Sequence, residues 1–249
     1  MTIKEDIELF FGYIHNHLAS IKVIESPNFS DIYKKLCYSG CIDLLSRLVY
    51  PKKSPRERVI ASLKRFSNWK EGYNISLSHL LRLLNKTSDP NFEELRLFAK
   101  EEFIKWTSGE LVELSRDLQY DKVKKLWPSS SEYKILLDGV SIDSLTHFHL
   151  LYTYRNSLVH QLRAPSTSFD RDYHDYPFYM HLTSLGPNLK PKEHHWVLNY
   201  PVNFFTIIST TLFDTIKDYY LNSELNPYDM FITGNYWLDA LNKSQQHNL

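Results

Sequence analysis

Apolar side chains recur three and four residues apart in one segment after another of this chain, and that spacing confines most of it to packed helices. Each residue of an α-helix turns about 100°, so the spacing gathers one apolar stripe per segment. Ile3, Ile7, Phe10, Phe11, Ile14, Leu18 and Ile21 trace the first stripe, over Thr2 to Ile24. Thr2 can cap that helix and Glu5 stands three residues later, as in a capping box. A second helix is predicted from Ser30 to Tyr50, with Ile32, Leu36, Cys41, Leu44, Leu45 and Leu48 inward and Pro51 ending it. Ser54-Pro55-Arg56-Glu57 combines a cap, a proline at the first helical position and a returning acid, and opens a helix to Trp69. Gly72-Tyr73-Asn74 breaks the pattern, and a shorter helix covers Ser76 to Asn85. Asp89-Pro90 opens another, carrying Phe92, Leu95, Phe98, Phe103 and Ile104 as far as Ser108-Gly109. Leu111 to Trp127 is expected to be a less regular helix, Pro128 to Ser131 a loop, and Glu132 to Leu137 is ambiguous. Gly139 punctuates, Ser141 or Asp143 caps, and a central periodic segment runs from there until Pro165.

Beyond Pro165 the pattern changes. Pro165 to Asp175 is turn-rich and polar. Pro177 to Leu185 and His194 to Tyr200 are rich in aromatic and apolar residues, with Gly186-Pro187-Asn188 between them. They read as two strands of one antiparallel hairpin, about residues 176–200, joined by a long loop. Pro201 opens a last long helix to about residue 223, with Phe204, Phe205, Ile208, Leu212, Phe213, Ile216 and Tyr220 along its seam. The tail keeps Tyr228, Phe231 and Trp237 and then loosens. No internal repeat and no linker divides residues 1–249. The expected fold is a single mainly α domain, a helical bundle with a small β-hairpin before its last helix.

Composition excludes several classes of function. With 17 Tyr and 14 Phe the chain can build a large core, which argues against disorder. Its 29 basic and 29 acidic side chains cancel, so any contact with nucleic acid has to rest on a local patch. Cys37 and Cys41, four apart in one helical pattern, read as free, buried thiols and suit a reducing cytoplasm. The acidic N-terminus lacks a signal peptide's basic region, and no apolar run is long enough to cross a membrane. With seven Gly and no glycine-rich phosphate loop, no cofactor is expected. Metal binding is not expected either. His147 and His149, like His15 and His17, are two apart and diverge on a helix, while Glu193, His194 and His195 alternate in direction.

Tyr152 to Arg163, within the central segment, is where chemistry concentrates. Tyr152, Asn156 and His160 stack four apart on one helical face, and Arg163 follows three residues later. Leu151, Tyr154, Leu158 and Leu162 form the face expected to be buried. Arg155 lies about 140° from His160 around the axis, so only its long, flexible side chain could approach the imidazole. Cleaving RNA without a metal requires removing the 2′-hydroxyl proton, protonating the leaving 5′-oxygen and neutralising charge on the phosphate. An imidazole serves as base or acid near neutral pH, and a guanidinium can hold two phosphate oxygens at once. Asn156 could orient the His or bond the phosphate.

Arg155, the polar Asn156, three further residues and His160 resemble the Arg-four-residues-His signature of HEPN proteins, helical bundles that include metal-independent ribonucleases of toxin and phage-defence systems. The resemblance implies Arg155, Asn156 and His160 as catalytic residues in a site shared across a homodimer, which would supply one basic and one acidic His. The implied substrate is RNA, and the implied products are a 2′,3′-cyclic phosphate and a 5′-hydroxyl. Tyr152 could stack a base, and Gln161 and Arg163 could line the same groove. In HEPN bundles the second helix packs near this site, which makes Asp43 and Arg47 candidate supporting residues; as a bare pair four apart they read as a surface ion pair. Some toxin members carry, two residues after the His, a Tyr that an antitoxin partner modifies. Leu162 stands there, so that form of silencing is excluded, although another antitoxin or defence partner is not. The alternative expectation is a non-catalytic member that binds a nucleotide, RNA or a regulatory partner in the same groove.

Overall fold

Thr2 and Ser54 both build the capping boxes that their spacing predicts. Each hydroxyl accepts a backbone N–H three residues on, and Glu5 and Glu57 accept the N–H of Thr2 and Ser54 in return. These caps open α1 (Ile3–Lys22) and α3 (Pro55–Phe66), with α2 (Ser30–Val49) between them. The computed structural model describes residues 2–26, 28–128, 137–163, 165, 174–185 and 191–230. Among these the remaining helices are α4 (Leu77–Leu84), α5 (Glu93–Phe103), α6 (Tyr120–Leu126), α7 (His147–Gln161) and α8 (Val202–Ser223). A three-stranded antiparallel sheet, β1 (Val112–Glu113), β2 (Phe178–Leu185) and β3 (Pro191–Asn199), precedes the last long helix, with β2 in the middle.

Helices α1, α2, α3, α7 and α8 pack on one another as the bundle, and α4, α5 and α6 form a smaller layer in sequence. The expected apolar stripe of α1 is buried from Ile7 to Ile21, and the seam of α8 is buried from Phe204 to Tyr220. Helix α2 buries Cys41, Leu45 and Leu48 of its predicted face but is covered on other sides as well. It packs against α1, α3, α7 and α8, so it buries Lys35, Tyr38 and Ile42, while Ile32, Leu36 and Leu44 are only partly covered. Lys35 is fully enclosed; its Nζ donates to Tyr154 Oη at 3.3 Å and lies 5.8 Å from the centre of that ring. No described helix is long and apolar enough to cross a membrane.

Two expectations fail because of pairing that local periodicity cannot reveal. The stretch Leu111 to Trp127 is not one helix. Val112 pairs with Tyr179 and Glu113 with Phe178, so β1 adds a third strand to the expected hairpin, and Leu118 bridges to Ile75. Only Tyr120 to Leu126 remains helical. The central helix likewise starts at His147, not near Ser141. Thr146 bridges to Ile75, Ser76 N donates to Leu145 O and His147 N donates to Asn74 O. That pairing holds Thr146 extended, and Ile142 to Leu145 form only a 3₁₀ turn. The helix also stops early, because Leu162 takes a left-handed conformation at φ 53°. The long loop of the hairpin and the tail residues Phe231 and Trp237 lie outside the described residues, as does most of Glu132 to Leu137.

The sheet is fastened to the helices through one carboxylate. Asp117 has a fully buried side chain. Its Oδ1 accepts Leu77 N at the start of α4 (2.8 Å), and its Oδ2 accepts His147 Nε2 at the start of α7 (2.6 Å) and Tyr179 Oη of β2 (2.8 Å). Close by, Gly72 lies under Phe148, whose ring is fixed between Trp69 and Tyr73 at centroid distances of 5.4 and 4.9 Å. A Cβ on Gly72 would stand 2.3 Å from Phe148 Cε1. Gly72→Ala should therefore destabilise the fold by about 1–3 kcal/mol through overpacking, read as a lower urea midpoint. An unchanged midpoint would mean that the ring swings aside at no cost.

Candidate functional site

The polar stretch of α7 meets α2 and α3 in a cluster of charges. Arg155 Nη2 donates to Asp43 Oδ2 of α2 at 2.5 Å, and Nη1 donates to Asn156 Oδ1 at 3.0 Å. Arg58 of α3 comes to the same carboxylate, Nη2 to Oδ1 at 3.6 Å. Tyr152 backs the group, with Arg155 Cζ 5.9 Å from its ring centre. One carboxylate thus faces two guanidiniums, which leaves one positive charge in excess. The three charged side chains are between 17% and 24% exposed, covered enough to keep their charges coupled and open enough to be reached.

Hydrogen bonding in this cluster is incomplete. Arg155 Nε, Arg58 Nε and Asp43 Oδ1 are enclosed without a hydrogen-bond partner. So are Ser46 Oγ, three residues after Asp43, and Ser62 Oγ, four after Arg58, on the same helical faces. Enclosed polar atoms without partners are costly, and they mark places where a structure serves something other than stability.

The sequence candidates divide into two groups. Arg155, Asn156, Asp43 and Tyr152 converge. Tyr152 is buried, however, so it supports Arg155 from beneath and offers no open face to a base. His160 lies in the last turn of α7, exposed and without a hydrogen bond among the described residues. Gln161 and Arg163 are exposed beyond it and bond each other, Arg163 Nε to Gln161 Oε1 at 3.2 Å. Leu162, expected in the buried face, is 62% exposed, because the helix has ended by that point. Asp43 reaches across to other helices, and Arg47 lies exposed one turn further along α2. Arg58 escaped the sequence reading: it follows a strong helix start among core positions, and nothing local ties it to residue 155.

No group of three or more metal-ligating side chains occurs among the described residues. His147 is committed to Asp117, and His149 Nδ1 lies 2.8 Å from Thr146 Oγ1. Cys37 and Cys41 are both free, but only Cys41 is buried; Cys37, expected to be buried too, is exposed. Burial pushes the Cys41 thiol up to about 11, with Cys37 adding to the rise. No family model, curated protein or solved structure matches the chain.

Two imidazoles make the fold sensitive to acid. Burial, aided by His147 and Arg82, brings His79 down to about 4; burial, aided by Lys64 and Arg56, brings His149 down to about 4. An unfolded histidine titrates near 6.5, so from there down to about pH 4 the unfolded chain binds the extra protons. Their contribution is complete above about pH 6.5 and is lost as the pH falls. Urea unfolding should show stability dropping over that interval, by at most about 1.4 kcal/mol per pH unit for each residue. A midpoint that stays level across the interval contradicts the assignment.

Proposed function

We propose that the chain is a metal-independent RNA endonuclease of toxin or phage-defence type, working as a homodimer with Arg155 and His160 of each subunit over one phosphodiester. The observation that carries this reading is the positive excess at Arg58, Arg155 and Asp43, where α3 and α2 meet the helix whose exposed last turn bears His160. A chain of zero net charge needs such a local patch to hold a phosphate. Asp43 and Asn156 each engage one terminal nitrogen of Arg155, so the fork is oriented before substrate arrives, and each of those nitrogens keeps a second hydrogen. Val159 and Leu162, 39% and 62% exposed, flank His160 and give a second subunit apolar surface to cover.

In the proposed reaction one His160 takes the proton of the ribose 2′-hydroxyl. The freed O2′ attacks phosphorus, and the bond from phosphorus to O5′ breaks. The second subunit's imidazole protonates O5′, while the arginines hold the non-bridging oxygens. A 2′,3′-cyclic phosphate and a 5′-hydroxyl remain. Such an enzyme would act in the cytoplasm, where the free thiols are stable, and would be held in check by an antitoxin or a defence-system partner.

Incubation with labelled RNA in EDTA tests the proposal. The wild-type chain should cleave, and His160→Ala should lose about 10²-fold or more. Val159→Asp should yield monomers by sedimentation and lose cleavage with them. Wild-type RNA left intact, or undiminished cleavage by His160→Ala, rejects the reading. The commitment of Arg155 to Asp43 favours one other reading, a non-catalytic module that binds RNA or a nucleotide. It predicts binding without turnover that weakens in Arg155→Ala.

A further inference from the structure

Asp117 also sets the direction of a chain of hydrogen bonds that leads away from the proposed RNA site. A carboxylate only accepts, so Tyr179 gives Asp117 its single hydrogen. The Tyr179 oxygen can then only accept from Ser76 Oγ, 2.6 Å away. Ser76 has thereby used its own hydrogen and must accept from the His79 imidazole, whose Nδ1 lies at 2.7 Å. The proton of His79 is thus fixed on Nδ1. Burial keeps the ring neutral at physiological pH, so Nε2 on the far edge presents a lone pair, and it has no partner among the described residues. The other branch runs from Asp117 through His147 to Tyr200, whose oxygen is 3.3 Å from His147 Nδ1.

Both branches arrive at one cleft. His79 and Arg82 of α4, Leu150 and Tyr154 of α7, and Trp196 and Tyr200 from the β3 end of the chain line a space of about 180 Å³. Tyr154 and Tyr200, both buried, pack with ring centres 5.1 Å apart and floor the cleft, and the half-buried Trp196 is its aromatic wall. Arg82 is exposed at this cleft and makes no hydrogen bond or ion pair among the described residues. A fixed acceptor, the aromatic wall of Trp196 and a cation uncommitted among the described residues therefore meet at one small space.

We infer that this cleft binds a small planar anion: a single aromatic or heteroaromatic ring that donates an N–H or O–H to His79 Nε2 and sets a carboxylate or phosphate on Arg82. An aromatic wall favours a flat ring over an aliphatic chain. Arg82 selects the anion, and the lone pair selects a donor at the ring edge over an acceptor. The volume admits one ring and excludes an oligonucleotide. The inference does not depend on RNA cleavage.

Titration calorimetry with 4-hydroxybenzoate and with orotate tests it, each compound carrying a ring, a donor and a carboxylate. Phenol lacks the anion, and 4-methoxybenzoate lacks the donor. At least one of the two complete probes should bind the full chain with Kd of about 1 mM or tighter. Arg82→Gln should weaken that binding by about tenfold or more with no change in Tm, because the side chain makes no hydrogen bond or ion pair among the described residues. His79→Asn keeps a donor for Ser76 and leaves no acceptor at the Nε2 position, because the shorter amide ends at the place of Nδ1 and Cδ2. It should weaken 4-hydroxybenzoate and orotate and leave the weaker binding of 4-methoxybenzoate unchanged. Failure of both complete probes to bind overturns the inference, as does equal binding of phenol or undiminished binding by a folded Arg82→Gln.

Discussion

A single buried carboxylate joins parts of the molecule that share no local sequence pattern. Asp117 accepts from the first residue of α4, the first residue of α7 and the middle strand of the sheet. Leu77 N has no partner within its own helix, at a helix start where negative charge is also favoured by the helix dipole. Removing the carboxylate would leave an amide, an imidazole and a phenol enclosed together without their acceptor. Breaking a buried pair of this kind costs about 3–5 kcal/mol. The position of α7 follows from this anchor, and with it the angle at which Arg155 meets α2 and α3.

Features written in neighbouring residues were legible in the sequence. The capping boxes of α1 and α3, the seam of α8 and the hairpin before it all rest on spacings of two to four residues. What could not be read depends on distant partners. Ile75 pairs with both Leu118 and Thr146, and so breaks one expected helix and shortens another. The candidate site divides along the same line. Arg155, Asn156 and His160 were visible as a helical spacing and Asp43 as a polar position on α2, but Arg58 enters only when α3 folds over both. A helical wheel with one buried stripe puts Tyr152 on the polar face, whereas α7 is covered by α2 and α3 as well. His147 drew attention only as half of an unlikely metal pair; its acid partner lies 30 residues away.

Helix α7 serves two places at once. Tyr154 faces the aromatic cleft and Lys35, while the next residue, Arg155, turns to Asp43. The step of about 100° between them separates an aromatic side from the ion-paired one. Each side has an arginine near the surface, but they differ in kind. Arg155 is oriented by two partners, whereas Arg82 is exposed and has no hydrogen bond or ion pair among the described residues.

The two ends of α7 also differ mechanically. Its first residue is locked into the interior by Asp117, and Leu158 is the last position fully enclosed. Beyond Leu158, unwinding the terminal turn would uncover almost no apolar surface, so opening there is cheap while the base of the helix stays rigid. The helix behaves as a cantilever, fixed at the core and compliant at its tip. His160 can therefore adjust its reach by local fraying without disturbing the anchored frame that holds Arg155.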